Sequence, residues 1–225
     1  MPFVSPLLIS GGEIKGTIKI MEKKKLLAFH GDKKLKSAML AEVKKHEKAD
    51  QIIQGTYGRQ NGDWKGCAVA CSVRSLAKIK GEKLVEQYNS HSRYEIDLGI
   101  PLSIAYLEDS LFEGMEVEDA KKFPAQFIKA IPVGADLSLV SAKFMVFVLN
   151  DTLQHKEVLK NEKVVKAVKG VIQLWEDVIN GKYVGKDKEL ESAESAARSA
   201  AWSAAESAAY KRFADHLLEL LKKAK

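Results

Sequence analysis

The sequence predicts an almost entirely helical fold, and three observations carry that expectation. Apolar residues recur at helical spacing through most of the 225 positions. Strand-like alternation is confined to two short stretches. Helix-opening Asp or Pro residues and helix-ending glycines punctuate the rest. The expected class is all-α: a single helical domain with a small β-hairpin before Cys67 and a long Ala/Ser-rich C-terminal helix.

Taken in order, residues 13–20 (EIKGTIKI) alternate weakly and read as a strand within an N-terminal extension, residues 1–27. Asp32 is placed to cap a helix running to about Ile53, with Leu35, Met39, Val43, Asp50 and Ile53 facing inward and Gly55 ending it. In TYGRQNGDWKG, Asn61-Gly62 is a dipeptide suited to a type I′ turn, so residues 56–66 read as a hairpin, and a helix follows from about Gly66. Tyr88–Leu98 reads as a short helix ended by Gly99. Pro101 opens the next, which carries Leu102, Ala105, Tyr106, Asp109 and Phe112 and stops at Gly114. Val117–Ile131 reads as a helix broken at Pro124, and Asp136 as the cap of Leu137–Leu149. The clearest repeat lies in residues 162–180, where Val164, Val168, Val171, Ile172, Trp175, Val178 and Ile179 share one face.

The helical core is therefore expected over residues 28–180, followed by a linker and a long helix over 181–225 that packs on the core or on a partner. In that last part Ser195, Ser199, Ser203 and Ser207 alternate with Arg198, Trp202, Glu206 and Tyr210 on a four-residue beat. From Asp187 onward a continuous helix would reach about 57 Å, and its stripe of large side chains would wind around it by about 40° per turn. Small side chains on such a face let a neighbouring helix approach closely.

Composition narrows the function. Apolar residues make up 46% of the chain and charged residues 29%, ordinary values for a soluble globular protein. No apolar run has the length of a membrane span, and MPFVSPLLISGG makes a poor secretory signal, so a cytoplasmic protein with reduced thiols is expected. Net charge is +6, of which residues 1–50 hold +5. The cations are 31 Lys and only 5 Arg, which argues against nucleic acid as a partner, because base and phosphate readers favour the planar arginine fork. Phosphate loops, dinucleotide glycine motifs, Gly-x-Ser-x-Gly and His-Glu-x-x-His are all missing from the sequence.

The stretch that could hold chemistry is GDWKGCAVACS, which contains both cysteines, Cys67 and Cys71, four residues apart. Two cysteines placed at random fall at that spacing in about 1 case in 100. Three readings stay open. Both thiols can be small buried apolar groups. Cys67, in the first turn of a helix after a glycine, can be a nucleophile whose thiolate is favoured by free amides and the helix dipole. The pair can also bind zinc with His46, although a structural zinc site wants four ligands. Candidate bases are His46, with Asp50 four residues on, and His91, with Glu95 four residues on.

Several segments together resemble a family of uncharacterised bacterial and phage-borne proteins. These are AFHGD (28–32), HEKADQIIQG (46–55), KGCAVAC (65–71), HSRYEIDLGIP (91–101), LEDSLFEG (107–114) and AIPVGADLS (130–138), together with the Ala/Ser-rich C-terminal helix. The resemblance implies no activity, but it gives weight to the segments holding His46, Asp50, Cys67, Cys71, His91, Tyr94, Glu95, Glu108 and Asp109. The chain departs from the pattern in the residues before AFHGD and in Ser75–Gln87, which reads as an insertion.

Two functions follow. The leading expectation is a helical binding or assembly protein that uses its C-terminal helix toward a protein partner or its own copy. The alternative is a cysteine-centred enzyme or metal site built on Cys67 and Cys71 with His46 or His91 and Asp50 or Glu95.

Overall fold

The computed structural model describes residues 26–183 and 207–225. The expected strand at 13–20 and the expected helix over 187–206 lie outside them. The described chain is all-α apart from one small hairpin.

Helix α1 (Lys33–Lys48) starts as expected, with the Asp32 carboxylate accepting from the Lys34 and Leu35 amides at 2.7 and 3.2 Å. Met39, Val43 and His46 form its inward stripe. It ends well before Gly55 because Asp50 itself takes the left-handed conformation (φ 50°). The Asp50 amide then donates to Glu47 O and the Gln51 amide to His46 O, a Schellman closure without glycine. The chain that follows is stitched to the start of the next helix: Ile53 N donates to Gly66 O, Gly66 N to Gln51 O and Cys67 N to Thr56 O.

Strands β1 (Arg59–Asn61) and β2 (Asp63–Lys65) pair antiparallel around Gly62, with Trp64 buried. Helix α2 (Ala68–Ile79) runs through the centre, with nine of its twelve residues buried. A helix so largely enclosed belongs in a core, and α2 is flanked by α1, α4 (Leu102–Gly114) and α5 (Val117–Ala130), with Lys78 left on its exposed side. Helix α3 (Ser92–Leu98) is shorter than expected, because Tyr88 lies in extended chain, its amide donating to Tyr57 O. Gly99 ends it at φ 63°, where a Cβ would collide with Leu27 O at 2.0 Å.

Pro124 does not break α5. It removes one donor from the ladder, but Ala120, Phe123, Phe127 and Ile128 are buried and hold the helix continuous across it. Asp136 accepts from the Ser138 amide at 2.9 Å, and α6 (Val140–Thr152) begins two residues later. A one-turn helix, α7 (Lys156–Leu159), leads into α8 (Glu162–Ile179). The predicted stripe of α8 packs through its C-terminal part, where Ile172 and Trp175 are buried, while Val164 is 40% exposed.

The C-terminal helix α9 (Ser207–Lys223) belongs to this core. It packs on α4, α5 and α6 and buries Ala209, Phe213, Ala214, Leu217, Leu218 and Leu221. Burying each larger side chain contributes about 1.5–3 kcal/mol. Among the described residues no helix is long and apolar enough to cross a membrane.

Candidate functional site

The site forms where the N-terminus of α2 meets the last two turns of α4. Cys67 is the N-cap of α2 and is 1% exposed. Asp109 and Glu113 lie one helical turn apart on α4, so their side chains share a face. The Cys67 sulfur and one oxygen from each carboxylate all lie within 4.8 Å of one another.

The segment after α1 fixes both carboxylates. The Gln54 side-chain amide donates to Phe112 O at 2.8 Å and to Met115 O at 2.9 Å, capping the end of α4. The Gly55 amide donates to Glu113 Oε2 at 2.8 Å, and the Tyr57 hydroxyl to Asp109 Oδ2 at 2.9 Å. From the start of α3, His91 Nε2 meets the same Asp109 oxygen at 3.0 Å. Tyr106 stacks on the His91 ring at 4.5 Å between centroids, and Tyr57 meets that ring edge-on at 5.9 Å. The other Asp109 oxygen, Oδ1, is buried without a hydrogen-bond partner among the described residues.

Two effects compete at Cys67. The Ala70 and Val69 amides favour its thiolate, as expected for a helix start. Burial, followed by the neighbouring Asp109 and Glu113 carboxylates, outweighs them and pushes the thiol up to about 12. The expected position of Cys67 is therefore found and the expected activation is reversed. The Glu113 carboxyl is raised by burial and by Asp109, against the Gly55 amide. Beside the site Glu108 is fully buried, and burial, with the Asp109 charge and against the Tyr94 hydroxyl, raises its carboxyl to about 8. It approaches the buried Tyr94 hydroxyl without closing a well-aligned hydrogen bond.

The other sequence candidates lie elsewhere. Cys71, one turn along α2, lies outside that group and donates to Gly66 O at 3.4 Å, and burial, followed by Cys67 and Glu108, raises its thiol well above the ordinary range. His46 bonds through Nδ1 to Gln51 Oε1 at 2.6 Å and rests on Trp64, with ring centroids 5.4 Å apart. Its partner is thus an amide and not Asp50. Asp50 is exposed and ion-paired with Lys65 and Lys121 at 3.2 and 3.1 Å, which hold its carboxyl below the usual range. Glu95 accepts from the Leu102 amide at 3.0 Å and caps α4, so it does not orient His91. The one candidate metal-ligand group among the described residues contains Cys67 but neither Cys71 nor His46.

Asp109 sits in a segment the resemblance had weighted; Glu113, Tyr57 and Tyr106 were not expected. The signal that could have revealed the carboxylates is the like-charged pair at i, i+4 in LEDSLFEG, which costs helix stability unless something positive offsets it. No family model, curated protein or solved structure matches the chain, so its site is defined by its own geometry.

Proposed function

We propose that this chain is a divalent-metal-binding protein whose ligands are Cys67, Asp109 and Glu113. The observation that carries the reading is the convergence of a sulfur and two carboxylate oxygens within 4.8 Å. Bonds of about 2.0–2.3 Å in a tetrahedral arrangement put ligand atoms roughly 3.3–3.8 Å apart, so binding would draw these side chains together by up to about an ångström. A mixed sulfur and oxygen set suits zinc or a neighbouring transition metal. His91 and Tyr57, both bonded to the same Asp109 oxygen, serve as the outer partners that hold a ligand carboxylate in place. A cation also resolves the local cost: it offsets the paired carboxylates and favours the thiolate that burial, followed by those carboxylates, otherwise opposes. A reducing, cytoplasmic setting fits, because both cysteines are free.

The test is titration of the full chain with Co(II). The expected result is a stoichiometric thiolate-to-cobalt charge-transfer band that Cys67→Ala abolishes and Zn(II) displaces. A featureless spectrum, or one unchanged in Cys67→Ala, sinks the reading.

Association through the C-terminal segment is the second reading, and it rests on the four-residue Ser/Ala beat of residues 187–206. The apolar side of α9 is already covered by α4, α5 and α6, so a partner would engage the residues ahead of it. Substituting Trp202 by Glu should then lower the mass seen by light scattering without unfolding the core; an unchanged mass rejects self-association.

A further inference from the structure

In KNEKVVKAVK, residues 160–169, lysine recurs at every third position as Lys160, Lys163, Lys166 and Lys169. Residues 156–170 hold five Lys and two Glu, a balance of +3 against +6 for the whole chain. Lysines three apart on a helix are neighbours that repel. A helix dipole also favours acids near the N-terminus and cations near the C-terminus. After Glu162, α8 carries the opposite order: Lys163 in its first turn, Lys166 and Lys169 next, Glu176 and Asp177 in its last turn. That order costs the helix stability, and negative charge supplied from outside would offset it. Among the described residues, none of Lys156, Lys163, Lys166 and Lys169 has an ion-pair partner.

The apolar stripe comes uncovered at the same end. α8 packs chiefly on α6 and α7, and its C-terminal half buries Ile172 and Trp175. Toward the N-terminus Val164 is 40% exposed, Val165 and Val168 are half-buried, and Leu159 at the end of α7 is 54% exposed. At about 100° per residue, Lys163 and Lys169 stand roughly 110° and 130° to either side of the Val164, Val168 and Val171 line. Lysines so placed lay their stems along an apolar face and hold their ammonium groups at its rim.

From this coincidence we propose that α7 and the first half of α8 form a docking surface for an anionic lipid bilayer. Leu159 and Val164 enter the headgroup boundary and the lysines meet lipid phosphates. Helices that lie on membranes join an apolar face to a Lys-rich polar one, and anionic leaflets attract such clusters. Composition separates this occupant from others. Protein interfaces are enriched in aromatic residues and Arg and depleted in Lys. Residues 156–171 contain no aromatic residue and no Arg. Nucleic acid would answer the lysines but would leave the valine face in water. No residue of the Cys67 group takes part, so this surface stands apart from the metal reading.

The experiment is co-sedimentation of the full chain with vesicles. Vesicles mixing phosphatidylcholine with phosphatidylglycerol should carry the protein down, and vesicles of phosphatidylcholine alone should not. The double variant Lys163→Ala, Lys166→Ala should weaken binding by about tenfold or more, and Val164→Asn by about twofold. The double variant Lys44→Ala, Lys48→Ala, which removes the same charge from α1, should stay within about twofold of the parent. Circular dichroism should show each variant folded, since the substituted side chains are exposed. Absence of binding, equal binding to both vesicle types, or an equal loss in the α1 variant would overturn the assignment. So would an α8 variant that binds vesicles as the parent does while losing retention on a DNA duplex, which would give the surface to nucleic acid.

Discussion

The two cysteines sit one helical turn apart, are equally buried, and meet opposite chemistry. Cys71 faces the backbone carbonyl of Gly66 and is enclosed by core, whereas Cys67 faces two carboxylates that have their own hydrogen-bond supports. The imidazoles repeat the contrast at the same 9% exposure, His46 on the neutral amide of Gln51 and His91 on Asp109. Burial alone therefore does not mark a working group; the partner across the gap does. Natural cores rarely place acids beside a buried thiol without a cation or a proton to compensate them.

The largest effect that would break the comparison lies in metal affinity. Asp109→Asn and Glu113→Gln should each lower cobalt affinity at least tenfold in competition titrations, while Cys71→Ala stays within threefold of the parent. Equal losses at Cys71 and at the carboxylates would erase the distinction between the two thiols. Stability should show the reverse order. Cys71→Ala leaves a small void and removes the donor to Gly66 O, costing about 1–2 kcal/mol in urea denaturation. Cys67→Ser in the metal-free chain should cost under about 0.5 kcal/mol, since Cys67 holds the N-cap position of α2 and serine is a preferred N-cap residue.

The contrast sharpens further in thiol reactivity. Both thiols are raised, so native protein at pH 7.5 should react with iodoacetamide only slowly. Neutralising Asp109 as Asn removes one of the charges that raises Cys67, and alkylation mapped by mass spectrometry should speed up about tenfold at Cys67 while Cys71 stays unchanged. A rise at both sites, or at neither, would assign the suppression to burial alone.

Much of the fold was legible because apolar spacing encodes which face of each helix is buried, and α1, α4, α6 and α8 follow it. The end of α1 was hidden because Asp50 adopts a conformation that sequence reasoning assigns to glycine. The break expected at Pro124 was hidden by burial on both sides of it. In the site, the local feature was readable: Cys67 does cap a helix. Its partners were not, because Asp109 and Glu113 arrive from a helix some forty residues later, and local spacing says nothing about which helices meet. Asp50 and Glu95 were chosen for standing four residues from a histidine; folding gave those histidines tertiary partners instead.

The smallest expected effect concerns pH. Burial lowers His46 below its ordinary value, so the unfolded chain takes up a proton before the folded one as pH falls. Its stabilisation is present above the unfolded value near 6.5 and is lost as pH drops toward the lowered folded value, by at most about 1.4 kcal/mol per pH unit. His46→Gln should flatten that part of the stability curve between pH 7 and 5; an unchanged slope would place the titration elsewhere.

One contact reaches beyond the site. The Tyr210 ring of α9 lies so close to Gly114 that any added Cβ there would fall 2.2 Å from it, and Gly114 directly follows Glu113. Any side chain at position 114 would therefore have to push the Tyr210 ring, and α9 with it, away from the end of α4 beside a candidate ligand.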